Sequence, residues 1–196
     1  MQNKKSLHII STAFALCFFF WSCNGQPMRL EQPQKIKWLG FEEAVAKSEK
    51  DPKKMFVDVY TNWCGWCKKM DASTFMDDKV ADYINKNFYA VKFNAESKDT
   101  IHFKGTNFVF KPEFKSNELA ISLLNKQMSY PTYVFLDEQF NLLAPVQGYM
   151  AVDGIMPVLN YFGENIYKTK TWQEYQPQPA TQPAAPAQAP PAGGGH

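Results

Sequence analysis

Residues 57–68 read Val57-Asp58-Val59-Tyr60-Thr61-Asn62-Trp63-Cys64-Gly65-Trp66-Cys67-Lys68. The stretch continues a compact, almost wholly apolar run that starts at Met55, and such a run predicts a strand buried on both faces. A pattern typical of a helix follows over residues 67–75. The two cysteines therefore stand at the turn from a strand to a helix. There the first thiol faces the helix amino terminus, whose partial positive charge favours the thiolate that attacks disulfides.

The amino terminus has the composition of a sorting signal. Lys4 and Lys5 precede an almost wholly apolar run of 13 positions, residues 9–21. A run of this length suits a signal peptide, residues 1–22, and is short for a transmembrane helix, which needs about 20 residues. An uncleaved membrane anchor is the alternative interpretation.

Ser22-Cys23 and the polar residues after it resemble the end of a bacterial lipoprotein signal. In that class of protein the cysteine becomes the first residue of the mature chain and carries acyl chains, which bind the membrane firmly. The resemblance implies lipidation of Cys23, a tether over residues 23–35, and a location in the bacterial cell envelope that faces the periplasm. Cleavage would also remove Cys17, so the mature chain would keep two free thiols.

A C-x-x-C pair also occurs in structural zinc sites. Such a site needs four ligands, usually a second C-x-x-C pair or a pair of histidines. Here the remaining nearby candidate is His102 alone. We therefore expect no metal, and a redox dithiol needs no other cofactor.

The rest of the sequence predicts one domain, residues 36–175, in a chain of 196 residues. The expected order of strands and helices gives an α/β fold whose mixed sheet has helices on both faces. The expected strands are 36–38, 55–60, 89–94, 132–136 and 142–147, and the expected helices are one with Phe41, Ala44, Val45 and Ser48 on one face, then 67–75, 79–88 with Asp77 or Asp78 as its cap, 118–126 and 152–167.

The motif resembles the active-site strand and helix start of the thioredoxin superfamily, and Tyr130-Pro131-Thr132 resembles the cis-proline loop that faces the dithiol in that fold. The sequence is similar to small exported bacterial thioredoxin-like proteins with a Cys-Gly-Trp-Cys-Lys-Lys-Met stretch. The resemblance covers residues 41–162. It implies a thioredoxin-like three-layer α/β/α sandwich with a mixed central sheet, and a thiol-disulfide oxidoreductase.

The resemblance implies four catalytic residues. Cys64 would be the attacking thiolate, and Cys67 would resolve the mixed disulfide. Asp58 stands where the family commonly places a buried acid beneath the dithiol. A carboxylate in an apolar strand should have a raised pKa, which lets it accept the proton of Cys67. Lys92 matches a lysine that often pairs with this acid, although a solvated strand lysine is the alternative.

The same resemblance implies a substrate-binding surface around the dithiol. A cis bond before Pro131 would leave the backbone of Tyr130 free to pair with an extended substrate, whereas an ordinary trans proline would not. The two tryptophans of the motif would offer apolar surface to protein substrates, and Gly148 would keep the groove open. The expected binding residues are Trp63, Gly65, Trp66, Tyr130, Pro131, Thr132 and Gly148.

Two segments have no clear place in the minimal fold. An insertion around residues 102–115 carries Phe103, Phe108, Phe110 and Phe114, which could form a substrate-recognition flap or pack over the domain edge. The tail, residues 176–196, contains six prolines and no charged residue apart from a histidine. This composition predicts a disordered Pro/Ala/Gln/Gly-rich segment, either a solvated terminus or a linker or partner-binding arm.

Charge excludes one class of partner. The formal net charge is +2, and removal of Lys4 and Lys5 would leave 19 basic against 19 acidic residues, so a nucleic-acid partner is not expected. The first functional hypothesis is reduction or isomerisation of disulfides in exported proteins, with a membrane thiol electron donor. The alternatives are a dithiol oxidase and a non-enzymatic binding module of the envelope.

Overall fold

The computed structural model describes residues 35–175. Several expected features lie outside the described residues and remain predictions. They are the signal peptide, the lipidation of Cys23, all but the last residue of the tether, and the disorder of the tail, residues 176–196. Within residues 35–175, no helix combines the length and the apolar character needed to cross a bilayer.

The described chain alternates helices with short strands. In chain order the elements are α1 (Phe41–Lys50), β1 (Met55–Tyr60), α2 (Gly65–Ala72), α3 (Asp78–Asn87), β2 (Tyr89–Asn94), β3 (Ile101–Phe103), β4 (Thr106–Phe108), β5 (Phe110–Lys111), β6 (Ser116–Asn117), α4 (Glu118–Leu123), β7 (Thr132–Leu136), β8 (Leu142–Gln147), α5 (Val152–Gly163) and α6 (Trp172–Tyr175). Single 3₁₀ turns cover Thr74–Met76, Pro112–Phe114 and Ile166–Lys168.

The central sheet has the strand order β2-β1-β7-β8. β1 pairs with β2 in parallel, whereas β7 pairs with both β1 and β8 antiparallel, so the sheet is mixed. The parallel register places Asp58 of β1 opposite Lys92 of β2. The chain segment between β1 and β2 contains the two cysteines and α2, and the motif therefore starts at the carboxyl end of a central strand.

Successive side chains of a strand point to opposite faces of the sheet. In this sheet both faces carry apolar side chains, and helices cover both of them. On one face, Phe56, Tyr133 and Phe135 pack with buried residues of α3 and α5. On the other face, Val57 and Val134 pack with buried residues of α1 and α4. The result is the three-layer α/β/α sandwich that the sequence predicts.

The four strands of the central sheet have the bounds that the sequence predicts, but the strand expected at residues 36–38 does not form. In its place, Leu39 makes an isolated parallel bridge to Val91. The N–H of Lys37 donates instead to Asn85 Oδ1, and that of Trp38 to the carbonyl of Ile36, so neither pairs with β2.

Three helices end at least three residues earlier than the sequence predicts. The helix expected over residues 67–75 spans Gly65–Ala72, and a separate 3₁₀ turn follows it at Thr74–Met76. The helix expected over residues 118–126 stops at Leu123, and Asn125 then adopts a φ of 50°. The helix expected over residues 152–167 stops at Gly163, and Asn165 follows with a φ of 60°. Asparagine adopts this left-handed conformation more readily than most residues, which makes it a common helix terminator.

The insertion contains regular structure in the form of two short antiparallel strand pairs, β3–β4 and β5–β6. The ring of Phe103 lies 5.1 Å from that of Phe41 and 5.8 Å from that of Phe140. Phe114, in contrast, is 54% exposed. Part of the aromatic cluster therefore packs over the domain edge and part of it faces solvent.

Both edges of the central sheet are interrupted. β8 forms one edge and contains Pro145, which has no N–H group to donate to another strand. At the other edge, beside β2, the N–H of Leu39 donates to the carbonyl of Ala90 at 2.9 Å, and its carbonyl accepts from the N–H of Lys92 at 3.2 Å.

Candidate active site

Cys64 and Cys67 form a disulfide at the start of α2. Cys64 is the N-cap of this helix, and its Sγ accepts a hydrogen bond from the N–H of Cys67 at 3.0 Å. In the reduced protein the same N–H would face the Cys64 thiol. A thiolate there would be stabilised by this donor and by the helix dipole.

The disulfide itself is covered, whereas the aromatic residues beside it are not. Cys64 is 4% exposed and Cys67 is 2% exposed, so burial alone does not distinguish the two sulfurs. Trp63 and Trp66 are 66% and 56% exposed. The exposed apolar surface of the motif therefore comes from the residues around the disulfide.

A buried carboxyl group lies in the middle of β1. Asp58 is 1% exposed, and its Oδ2 accepts a hydrogen bond from Lys92 Nζ at 2.5 Å. Its Oδ1 has no hydrogen-bond partner among the described residues. Burial raises the pKa of Asp58 to about 6, and the Lys92 ammonium limits that rise. The carboxyl group can therefore gain or lose a proton near neutral pH.

The ammonium of Lys92 also bonds to Asp71, a residue of α2 that the sequence interpretation missed. Burial lowers the pKa of Lys92, but the carboxylates of Asp58 and Asp71 outweigh burial and leave it raised. Lys92 is thus an ion-paired lysine and not a solvated one. The available signal was spacing, since Asp71 lies four residues after Cys67 and so on the same face of α2.

The loop before β7 lies against the turn after β8. The peptide bond between Tyr130 and Pro131 is cis. The carbonyl of Pro131 accepts a hydrogen bond from the N–H of Gly148 at 2.9 Å, and Gly148 has a φ of 96°, a conformation that favours glycine. Thr132, the first residue of β7, is buried and donates its hydroxyl to the carbonyl of Ser129 at 2.7 Å.

Two aromatic pairs connect the motif to these loops. The rings of Trp63 and Tyr130 meet edge to face with centroids 5.8 Å apart. The rings of Trp66 and Tyr149 lie 5.3 Å apart. Residues far apart in sequence therefore form one surface around the disulfide.

Charged side chains hold both tryptophans. The indole N–H of Trp63 donates to Glu96 Oε1 at 3.0 Å. Lys69 Nζ lies 4.9 Å from the ring centroid of Trp66 and 4.8 Å from that of Tyr149, within the range of a cation–π contact. Nothing in the sequence pattern distinguished Glu96 or Lys69 from ordinary surface residues.

His102 is not part of this site. Its Nδ1 lies 2.9 Å from Glu42 Oε1 on α1. Within the described residues, no group of three or more His, Cys, Asp or Glu side chains is arranged to hold a metal ion.

Comparison with known proteins adds a family and a fold. The family model Thioredox_DsbH, described as "Protein of unknown function, DUF255", matches residues 24–153. A solved structure titled "DsbH Oxidoreductase" is 19% identical, has a TM-score of 0.51, and aligns over 72% of this chain and 93% of its own. A thioredoxin from Thermus thermophilus is 15% identical, with a TM-score of 0.49, over 65% of this chain and 86% of its own.

A curated relative, Spermatogenesis-associated protein 20 from Rattus norvegicus, is 28% identical over 60 residues. That match covers 31% of this chain and 8% of the relative, so the chain spans only a small part of that protein's length. The structural likeness to the DsbH oxidoreductase shows that the fold is thioredoxin-like.

Proposed function

The chain belongs to the Thioredox_DsbH family of thioredoxin-fold proteins, and from this premise we propose that it is a thiol-disulfide oxidoreductase that reduces or isomerises disulfides of exported proteins. One observation carries the proposal. The disulfide between Cys64 and Cys67 lies at the amino terminus of α2, and the strand that precedes it, β1, carries the buried Asp58.

Exchange would begin from the dithiol. The Cys64 thiolate attacks one sulfur of a client disulfide, a bond forms between them, and the second client sulfur leaves as a thiolate. Cys67 then loses its proton and attacks Cys64 Sγ, which releases the first client sulfur as a thiolate and forms the Cys64–Cys67 disulfide. Two electrons have passed from the cysteine pair to the client, whose thiolates then take up protons.

Asp58 is the residue we assign to the proton of Cys67. A carboxyl group whose pKa is about 6 suits proton transfer near neutral pH. Lys92 would hold this carboxylate and balance its charge when ionised, because it pairs with Asp58 in the folded protein.

Client binding is assigned to the surface around the disulfide. The exposed rings of Trp63 and Trp66 provide apolar area, and the cis bond before Pro131 supports pairing of the Tyr130 backbone with an extended client. The full set comprises Trp63, Gly65, Trp66, Tyr130, Pro131, Thr132 and Gly148.

Completion of the cycle requires a reductant for the Cys64–Cys67 disulfide. We assign this role to a thiol electron donor in the membrane. The support for this assignment is the sequence of residues 1–23, which resembles a lipoprotein signal and would anchor the protein at Cys23 on the periplasmic side of the envelope.

The test is reduction of insulin by the protein with dithiothreitol as reductant. Cys64→Ala should abolish the catalysed rate, because no attacking thiolate remains. Cys67→Ala, reduced beforehand and then freed of dithiothreitol, should instead accumulate a mixed disulfide between Cys64 and insulin, visible on a non-reducing gel. Cys23→Ala is the matched control and should keep the full rate. An unchanged rate in Cys64→Ala would contradict the proposal.

The reduction potential of the Cys64–Cys67 pair decides the direction of electron flow. We expect a value below that of the glutathione pool, measured by equilibration with glutathione and read from tryptophan fluorescence. For a two-electron couple, about 30 mV corresponds to a tenfold change in equilibrium constant. A value well above the glutathione pool would instead support the alternative, a dithiol oxidase.

A further inference from the structure

A cleft of about 370 Å³ lies next to the motif. Its lining residues come from the segment before the disulfide, from the end of β2 and from the insertion. They are Asn62, Asn94, Glu96, Lys98, Phe110 and Lys115.

This cleft continues the surface assigned to the client. Asn62 lies two residues before Cys64 and directly precedes Trp63. The indole of Trp63 donates to Glu96 in the cleft wall, and the same ring packs against Tyr130 on its other side. A client segment that passes over Trp63 would therefore reach the cleft within a few residues of its own cysteine.

The insertion that forms the far wall is hydrogen-bonded to the rest of the domain. Asn117 is fully buried, and its N–H donates to the carbonyl of Ala95 at 2.7 Å. Its side-chain amide donates to the carbonyl of Asp99 at 2.9 Å. The N–H of Ala95 in turn donates to the carbonyl of Tyr60, the last residue of β1, at 2.8 Å. The wall of the cleft thus has a fixed relation to the strand that precedes the motif.

The charge of the cleft is positive. Lys98 and Lys115 are both exposed, and neither forms a salt bridge with a carboxylate of residues 35–175. The ammonium of Lys98 lies over the ring of Phe110, which holds it at the cleft. Glu96 supplies one negative charge, and its carboxylate already accepts the hydrogen bond of Trp63. Two ammonium groups against one carboxylate favour an anionic ligand.

We infer that this cleft is a substrate subsite that selects clients with an aspartate or glutamate near the cysteine to be reduced. The inference rests on the proposed exchange function and names the class of substrate for it. The client carboxylate would lie between Lys98 and Lys115, with its aliphatic stem against Phe110. The insertion would then supply selectivity that the Cys64–Cys67 pair alone does not provide.

The test compares two peptides, each with one internal disulfide, that differ only in having Glu or Gln beside the cysteine. The reduced protein should reduce the Glu peptide with a kcat/KM about threefold to tenfold higher, since each exposed ion pair contributes modestly. The preference should weaken as salt is added. It should vanish in Lys98→Gln/Lys115→Gln, which should reduce the two peptides at equal rates.

Lys79→Gln/Lys86→Gln on α3 is the matched control, because it removes the same charge from an exposed surface that does not line the cleft. It should keep the full preference. Lys98→Glu/Lys115→Glu should reverse the preference towards a peptide with Lys in place of Glu. Equal rates for the Glu and Gln peptides in the unsubstituted protein, or a preference that persists in Lys98→Gln/Lys115→Gln, would overturn the inference.

A second readout separates this inference from the proposed function. If the protein reduces neither peptide, the exchange function fails, and binding of the two peptides to the oxidised protein decides the role of the cleft. Tryptophan fluorescence reports that binding through Trp63. Tighter binding of the Glu peptide, lost in Lys98→Gln/Lys115→Gln, supports the subsite, and equal binding overturns it.

Discussion

Asp58 combines near-complete burial with an ion pair, and its ionisation should affect stability. Its pKa is raised from 3.8 to about 6, so the folded protein holds this proton more tightly than the unfolded chain between about pH 4 and pH 6. The free energy of unfolding therefore falls as pH rises through that window. The full difference is on the order of 3 kcal/mol.

Asp58→Asn should remove this fall, because asparagine does not ionise. The measurement is denaturant unfolding of the oxidised protein and the variant from pH 4 to pH 8. The stability of the variant relative to the parent should rise across about pH 4 to 6 and level off above it. Parallel profiles for the two proteins would show that Asp58 does not ionise in this range.

Asp71 shares the ammonium of Lys92 with Asp58, and its negative charge contributes to the raised pKa of Asp58. Asp71→Asn should therefore lower the pKa of Asp58, since the Lys92 ammonium would then pair with the Asp58 carboxylate alone. Carbon-13 NMR titration of the Asp58 carboxyl group measures this directly. Asp82→Asn on α3 is the control and should leave the titration unchanged. An unchanged or higher pKa in Asp71→Asn would contradict the shared ion pair.

Some site residues could be identified from the sequence and others could not. Cys64, Cys67, Asp58 and Pro131 belong to a motif and a loop that resemble a known superfamily. Asp71, Lys69 and Glu96 belong to no such motif, because exposed acids and lysines are common. The spacing of Asp71 from Cys67 places it on the same face of α2, but its partner Lys92 lies on β2, and Lys69 and Glu96 gain their aromatic partners only in the folded chain.

At the scale of the elements, α3 shows how one side chain sets a helix start. Asp77 accepts hydrogen bonds from the N–H groups of Lys79 at 2.9 Å and of Val80 at 3.3 Å. Asp77→Ala should lower the free energy of unfolding by about 1 kcal/mol, because two N–H groups lose their acceptor. Asp78→Ala, one residue further on, should cost less, since no hydrogen bond to a helix N–H involves its side chain among the described residues. Thermal or urea unfolding distinguishes the two, and equal losses would contradict the cap.

The elements that the sequence predicts correctly are those with a strong and continuous pattern. The four central strands are runs of mainly apolar residues flanked by polar turns, and their bounds follow from that contrast. The strands of the insertion have only two or three residues each, which is too short for a periodic signal. The helices α4 and α5 end near Asn125 and Asn165. The helical apolar pattern continues past both residues, so the pattern alone predicts helices that are too long.

At the scale of the whole molecule, the aromatic core on one face of the sheet should dominate stability. Phe56 is fully buried, and its ring lies 5.7 Å from that of Tyr133 and 5.5 Å from that of Phe135. Phe56→Ala should cost about 3–5 kcal/mol, through lost burial and the cavity left behind. Phe114→Ala is the control, because this ring is 54% exposed, and it should change little. Comparable losses for both would contradict the assignment of the core.

The interrupted edges of the central sheet bear on how the protein would separate from the clients proposed for it. A protein that awaits disulfide exchange is often incompletely folded, and its loose strands readily join any open sheet edge. Pro145 at one edge and the Leu39 bridge at the other make this sheet a poor template for such joining. Under the proposed function, contact with a client would then depend on the sulfur atoms and the surface around them, so the client would be free to diffuse away and resume folding once exchange is complete.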